Sequence, residues 1–425
     1  MMMKDISMLK KHVAFGLCLL GAVLPSYAIT PFNIIRPFDP NFFPTHWKGQ
    51  TRQFTPLLSF GASNPHGRTV TGETVNPLQI LFPTQDALAM LKGFAPTSQQ
   101  AQLGQLININ GDDGVRGHFK VTGDLRVIFS GDLIGRWNWD NGVWIGMALP
   151  IASLKVKNVV WTDLTQNVTL DDALTHEYLT DNFAANVAIL GNGLSIGDWE
   201  KSGVGDFTTY IGWRQNFFQE KKWLKEAIVN VRLGVQFPTG VRRNEDVAVS
   251  LAFGNDGAYT VPFAAGLDLR FRNMLWAGVD VTFMKMFNHT RNRRIQTNAT
   301  QTDLLALEKT LAGKEYGLTQ MFNLYAEPII GKGLSVRFAY EHFKHGDDKV
   351  FVISNDYSTL AANTAAILNE WTTHDLFIQL KYDSANPKSE NNRFRPQISV
   401  FGKMPFNGKS SYQVSLIGAS ATFSF

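Results

Sequence analysis

The chain has one cysteine among its 425 residues, Cys18. Cys18 lies in an apolar run, Val13 to Leu24, that follows Lys4, Lys10 and Lys11 and leads to Ser26-Tyr27-Ala28. A cationic start, a short apolar stretch and small residues at a cleavage position make a secretory signal peptide, expected over residues 1–28. Leu17, ahead of Cys18, is too large for a lipidation signal. Removing the leader leaves no thiol, which excludes disulfides and cysteine-bound metals. Long apolar runs are equally missing, since nothing after Ala28 approaches the ~18 consecutive apolar residues of a membrane helix. An excess of one charge sign is missing too. The net charge of +4 falls to about +2 without the leader, which argues against a polyanion-binding surface and a nucleic-acid partner.

What the chain does have is period-two alternation. Four segments alternate cleanly: Phe119–Phe129, Ala227–Phe237, Phe263–Phe271 and Ala277–Phe283. In each, charged or polar residues such as Lys120, Asp124, Arg126, Arg232, Asp268, Arg270 and Asp280 fall between apolar ones. A helix would not place charge on every second residue, so these are strands. Weaker alternation recurs at 51–62, 143–161, 204–217, 318–331, 334–346, 371–384, 394–404 and 411–425, giving twelve candidate strands. Short links, such as Asp140-Asn141-Gly142 and Asn273-Met274, alternate with long ones at 63–116, 163–203, 240–257, 289–317 and 347–370, with only 405–410 short where a long one is due.

An exported chain without apolar helices can satisfy its backbone in a bilayer only as a closed barrel. The expected fold is therefore all-β: a transmembrane antiparallel up-and-down β-barrel of about 12 strands with long outer loops. A hairpin hidden in 63–116 or 163–203 would make fourteen. The barrel is expected over 51–425, preceded by a Pro- and Phe-rich segment, 29–50, that is a periplasmic lead-in or a short plug. Short helices are expected within the loops near Asp86–Phe94, Asp181–Leu190, Thr302–Leu311 and Thr359–Trp371. Aromatic residues near strand ends, including Trp137, Trp139, Trp144, Trp213, Phe217, Phe218, Trp223, Trp276, Phe287, Trp371 and Phe394, read as girdles at the two interfaces.

The last residues, Ile417-Gly418-Ala419-Ser420-Ala421-Thr422-Phe423-Ser424-Phe425, alternate strictly and finish on an aromatic ring. This strand resembles the C-terminal strand of Gram-negative outer-membrane barrels. The resemblance implies outer-membrane localisation, Phe423 and Phe425 as an assembly signal, and the barrel-assembly machinery, membrane lipid and lipopolysaccharide as partners. The strand is expected to pair with 51–62. Two internal segments carry a second resemblance. Gly203-Val204-Gly205-Asp206-Phe207-Thr208-Thr209-Tyr210-Ile211-Gly212-Trp213-Arg214 and Val231-Arg232-Leu233-Gly234-Val235-Gln236-Phe237-Pro238-Thr239-Gly240 are similar to strands of FadL-type hydrocarbon transporters and of phenol-degradation barrels. That similarity implies uptake of hydrophobic or aromatic small molecules.

Charge facing lipid at mid-depth costs ~2–4 kcal/mol for Arg or Lys, so alternation is expected to turn charges inward. The lumen-facing candidates are Asp124, Arg126, Asp206, Arg214, Arg232, Asp268, Arg270, Asp280, Glu327, Arg337, Glu341 and Lys381. They either line a channel or cross-link into a polar core. None of the nine histidines has a serine two residues away, as an outer-membrane phospholipase would need. His345 with Asp347 and Asp348, and His176 with Asp171, Asp172 and Glu177, are the nearest approaches to a catalytic or metal cluster. Ordinary loop polarity accounts for both, so no enzyme, metal or cofactor is expected. The expected function is passive uptake of small solutes. A plugged adhesive or structural barrel acting through its loops is the alternative, and an outer-membrane hydrolase a second one.

Overall fold

The structure, a computed structural model, describes residues 52–424 apart from 63–64, 111, 273, 332 and 385–394. The expected signal peptide, the 29–50 segment, Phe394 and Phe425 lie outside the described residues. Twelve strands build the barrel: β1 (Arg52–Gly61), β2 (His118–Asn138), β3 (Val143–Asp163), β4 (Phe207–Phe218), β5 (Leu224–Phe237) and β6 (Thr260–Phe271). They continue with β7 (Leu275–Met286), β8 (Thr319–Gly331), β9 (Leu334–His345), β10 (Trp371–Asp383), β11 (Arg395–Lys409) and β12 (Leu416–Ser424). Each pairs antiparallel with its neighbours in sequence, and β12 pairs with β1 from Gln53↔Ser424 to Gly61↔Leu416, closing the sheet. No described helix is long and apolar enough to cross a membrane.

Alternation places Leu133, Met147, Leu233, Phe263, Leu324 and Ile378 on the outer face, where all are exposed. Inward positions include polar residues such as Thr55, Thr208, Gln236, Asn323, Thr373 and Gln379, together with a buried apolar cluster of Leu57, Phe377 and Phe401. A closed barrel with an apolar exterior and a polar interior suits a bilayer and not water. The chain is an outer-membrane β-barrel. Phe423 faces outward opposite Phe54. Trp137, Trp139, Trp213, Phe217, Phe218 and Trp223 are exposed near the short turns, as a girdle requires. Trp144 and Trp371 depart from that expectation. Both are buried on the inward face, Trp144 beneath Arg136 and Trp371 stacked on Phe343 at 5.0 Å.

The β2–β3 hairpin differs from the rest. Each strand has 21 residues, about 70 Å of chain and far more than the ~9–11 that span a bilayer. Its upper half stands in water, and its polarity reverses there. Phe119, Val121, Leu125 and Val127 are buried inward, whereas Arg126 is exposed and Asp124 is partly exposed on the outer face. The cause is a bulge between Val127 and Phe129, which adds a residue to β2 and moves its side chains to the opposite face. Asp124 and Arg126 therefore do not face the lumen.

The long loops form a cap. Leu88, Met90, Ile107, Leu179, Phe183, Val187, Leu305 and Leu307 meet in one apolar core drawn from 62–117, 164–206 and 287–318. The cap contains the expected helical turns at Ala89–Leu91, Phe183–Leu190, Asp303–Leu305 and Thr359–Ala362. Beyond Leu305 the helical expectation fails. Glu308–Glu315 is a strand that pairs with His289–Ile295 and Lys349–Val352, so an outer three-stranded sheet replaces the helix.

Leu324 lies near the middle of β8 and is 51% exposed. Leu324→Arg is expected to destabilise the folded barrel by ~2–4 kcal/mol in urea unfolding from phospholipid vesicles. An unchanged transition would mean that this face does not meet lipid.

Candidate functional site

Many charges of the inward face are paired within the wall. Arg232 on β5 donates two hydrogen bonds to Asp280 on β7, at 2.7 and 2.8 Å. The Tyr325 hydroxyl on β8 donates to Asp268 on β6 at 2.5 Å. Glu327 on β8 accepts from Arg337 Nε at 2.7 Å and Ser335 Oγ at 2.8 Å, both on β9, and pairs with Lys381 on β10. Lys403 on β11 pairs with Glu341 on β9 and, at 3.2 Å, with Asp375 on β10. Arg270 lies 3.7 Å from Glu226 near the periplasmic end. Arg214 occupies the same inward phase of β4 as Thr208 and Tyr210, which are buried.

Several of these contacts pass over an intervening strand, which needs a small residue beneath. Gly278 on β7 lies between Asp268 and Tyr325, where a Cβ would sit 2.5 Å from both. Nine of the twelve expected lumen residues thus share the inward face: Arg214, Arg232, Asp268, Arg270, Asp280, Glu327, Arg337, Glu341 and Lys381. Sequence reasoning missed Tyr325, Asp375 and Lys403. Asp375 and Lys403 stand in strands whose alternation is weak, and nothing in the sequence marks Tyr325 as a partner for charge.

Asp206 is the remaining candidate and does something else. It precedes β4 and is 1% exposed. Its Oδ1 accepts from Gly240 N at 3.0 Å and its Oδ2 from Asn255 N at 2.5 Å. Thr239 joins the same junction, accepting from Phe207 N at 2.8 Å and donating to Gly205 O at 3.1 Å. The Gly205-Asp206 and Pro238-Thr239-Gly240 segments, far apart in sequence, are thus one structural unit. Gly240 is required because a Cβ there would lie 2.0 Å from Phe253 O, and Gly254, at φ +127, would place one 2.3 Å from Asp206.

The unit ties both ends of the 238–259 loop to the rim, and the loop folds inward. Val249, Leu251 and Phe253 pack against Val121, Leu125, Val127, Leu154 and Val156 of the upper hairpin and against Val414 beyond β11. Ion pairs hold the loop's outer side. Asp256 pairs with Arg291 and Arg293 at 2.5 and 3.1 Å, and Asp246 with Arg294 and Lys309 at 2.9 and 2.7 Å. Between the loop and the cap lies a cavity of about 50 Å³, lined by Leu78, Ile80, Phe82, Val249, Leu251, Leu304 and Tyr412, with Gln85, Arg243 and Asp303 as its polar groups.

Burial pushes the Asp206 carboxyl up to about 6 and the Asp303 carboxyl up to about 7, against the hydrogen bonds each accepts. Asp246 moves the other way, held down by the hydrogen bond from Lys309. At Asp256 burial opposes ionisation, but Arg291 and Arg293 outweigh it and hold the carboxyl low.

The His345 cluster is enclosed in loop packing, whereas the His176 cluster is partly exposed. His345 is 2% exposed and lies 3.4 Å from Asp348, which also pairs with Lys314 at 2.9 Å. His176 lies 3.1 Å from Asp163 and bonds Thr180 at 3.0 Å. Among the described residues no three His, Cys, Asp or Glu side chains gather as a metal site would need.

No family model and no curated relative matches the chain. Among solved structures it is similar to an outer membrane channel from Pseudomonas putida F1, with 10% identity over 91% of this chain and 100% of that one, at a TM-score of 0.49. It is also similar to a TodX mutant described as a monoaromatic hydrocarbon channel, with 10% identity over 94% and 96% of the two chains and a TM-score of 0.35. The Ralstonia pickettii toluene transporter TbuX has 9% identity over 88% and 89% of the two chains, with a TM-score of 0.31.

Two predictions follow from the wall and the rim. Glu327→Ala removes the carboxylate shared by buried Arg337 and Lys381 and is expected to cost ~3–5 kcal/mol in vesicle unfolding, with a loss under ~1 kcal/mol counting against the wall network. The raised carboxyl of Asp206, which holds the loop through Gly240 and Asn255, means that bound protons favour the closed loop. That contribution is complete below the ordinary value near 3.8 and is lost as pH rises through about 6. The lowered Asp246 and Asp256 favour closure above 3.8 and weaken it only below that. Protease cleavage within 238–259 should therefore quicken between pH 5 and pH 8, once corrected for the protease's own pH profile. Asp206→Asn should flatten the part centred near pH 6, and an unaltered profile would assign the titration elsewhere.

Proposed function

We propose that the chain is an outer-membrane channel for passive uptake of small solutes, with the 238–259 loop as its gate. The observation that carries this reading is the attachment of that loop. It crosses the barrel mouth held by the Asp206 carboxylate, ion pairs, apolar contacts and backbone bonds to Ser195 and Val204, and its own residues form no strand of the twelve-stranded wall. Such a segment can move without opening the barrel, since no ladder hydrogen bond breaks. Passage is diffusion, and no bond is made or broken in the solute.

The apolar lining of the mouth and of the cap cavity suits small hydrophobic or aromatic solutes, the class implied by the likeness of the 203–214 and 231–240 segments to FadL-type strands. Leu78, Phe82, Leu251 and Tyr412 offer apolar and aromatic surface, and Arg243, Gln85 and Asp303 offer a few polar contacts. Below the mouth many of the wall's charges pair with one another, which reduces the field the lumen presents to a neutral solute. The 29–50 segment, outside the described residues, is proposed to act as a lead-in or short plug beneath this route.

Replacing residues 242–255 by a short Gly-Ser linker should raise single-channel conductance in planar bilayers several-fold, and the same change should speed entry of a small aromatic solute into liposomes. Deleting 29–50 should raise conductance further. If neither change produced conductance while the barrel still folded, the channel reading would be replaced by that of a plugged surface barrel.

A further inference from the structure

We propose that the outward face of the β2–β3 ribbon, just above the apolar belt, binds the phosphate groups of the outer leaflet's saccharide lipid. The inference is independent of what passes through the barrel. It starts from a local conflict in the sheet. Arg126 on β2 stands directly opposite Lys155 on β3, two cations in one cross-strand pair on an exposed face. Like charges placed this way destabilise a sheet. One step higher, Asp124 stands opposite Lys157, and on the far side Lys155 stands opposite Glu200.

The acidic neighbours do not resolve the conflict. Asp124 is 3.6 Å from Arg126 and is also drawn aside by Asn158, which donates to it at 2.8 Å. Glu200 is engaged by Lys157 at 3.4 Å, and among the described residues Lys155 has no ion pair. Arg126, Asp124, Lys157 and Glu200 are all 40–53% exposed, so the cluster is open to an incoming group. The Arg126–Lys155 pairing itself opposes folding, whereas an anion seated between the two cations would relieve it.

Height decides which anion. The apolar outer surface of this wall ends at Ile128, Ile151 and Val204, and Arg126 lies about 7 Å above Ile128 at ordinary strand rise. The short turns and both barrel termini lie at the opposite end, so this end is the external one. The cations therefore stand at the headgroup level of the outer leaflet, where phosphorylated sugars lie. The ribbon continues above them with further outward-facing polar residues, such as Lys120 and Thr162, toward the saccharide region.

The test uses the mature chain purified in detergent, with bound lipid counted by native mass spectrometry. Bis-phosphorylated lipid A, the same lipid without phosphate, and inorganic phosphate serve as probes. The phosphorylated lipid should bind wild type, and R126Q/K155Q should bind it about tenfold more weakly. The dephosphorylated lipid should not distinguish the two proteins, and millimolar inorganic phosphate should not displace the lipid. Should the double variant fail to show the heat-sensitive gel mobility of a folded barrel, the single K155Q variant should still lose about threefold. Equal binding by folded variant and wild type, or equal binding of both lipids, overturns the proposal. Full displacement by inorganic phosphate overturns the lipid assignment in favour of a free anion.

Discussion

Inside hydrocarbon no backbone N–H or C=O can be left to water, and this one constraint organises the chain. The β12–β1 ladder, from Gln53↔Ser424 to Gly61↔Leu416, satisfies it by joining the two ends of the strand series. Without that seam β1 and β12 would each present an unpaired edge to lipid. Closure also fixes the phase of every strand, because a one-residue slip would turn Arg232, Glu327 or Glu341 toward lipid. The polar wall is thus a consequence of the seam, and pairing its charges is what makes it affordable.

The constraint relaxes where the wall leaves the bilayer, and the chain changes character there. The 21-residue strands β2 and β3 carry pairing well above the membrane, where the inner face packs on loops and the outer face meets water. Apolar Val121, Leu125 and Leu154 now point inward and Arg126 and Lys155 outward; on β2 the bulge at Val127/Phe129 makes the reversal, and on β3 the change of residue type alone makes it. One hairpin therefore belongs to two solvents. Its inner face gives Val249, Leu251 and Phe253 of the 238–259 loop something apolar to rest on.

Much of this was legible in the sequence. Period-two alternation located twelve strands, and the alternation of short and long links gave their direction and which end faces out. The failures share a cause. Alternation within Phe119–Phe129 assigns Asp124 and Arg126 to the lumen because the apolar residues between them read as facing lipid, and the phase shift at the bulge leaves no mark in that pattern. Trp144 reads as a girdle ring but fills the lumen over Gly212, a contact set by a neighbouring strand 68 positions away in sequence. The role of Asp206 depended on three separate loop ends meeting. Its motif was visible, but its partners Gly240 and Asn255 were not predictable from spacing.

The same division bears on how the proposed gate could work. A strand of the wall cannot move alone, because each of its ladder bonds is shared with a neighbour that closure holds in place. The 238–259 loop is outside that cooperative unit, and the groups that fix it respond to solution conditions. Its more exposed ion pairs from Asp246 to Arg294 and Lys309 weaken with salt, while Asp206, raised by burial to about 6, responds to protons. A stable barrel and a responsive mouth are therefore compatible in one chain. The former is fixed by continuous backbone pairing, which neither salt nor moderate pH disturbs, and the latter by only a few backbone bonds together with side chains that both reach.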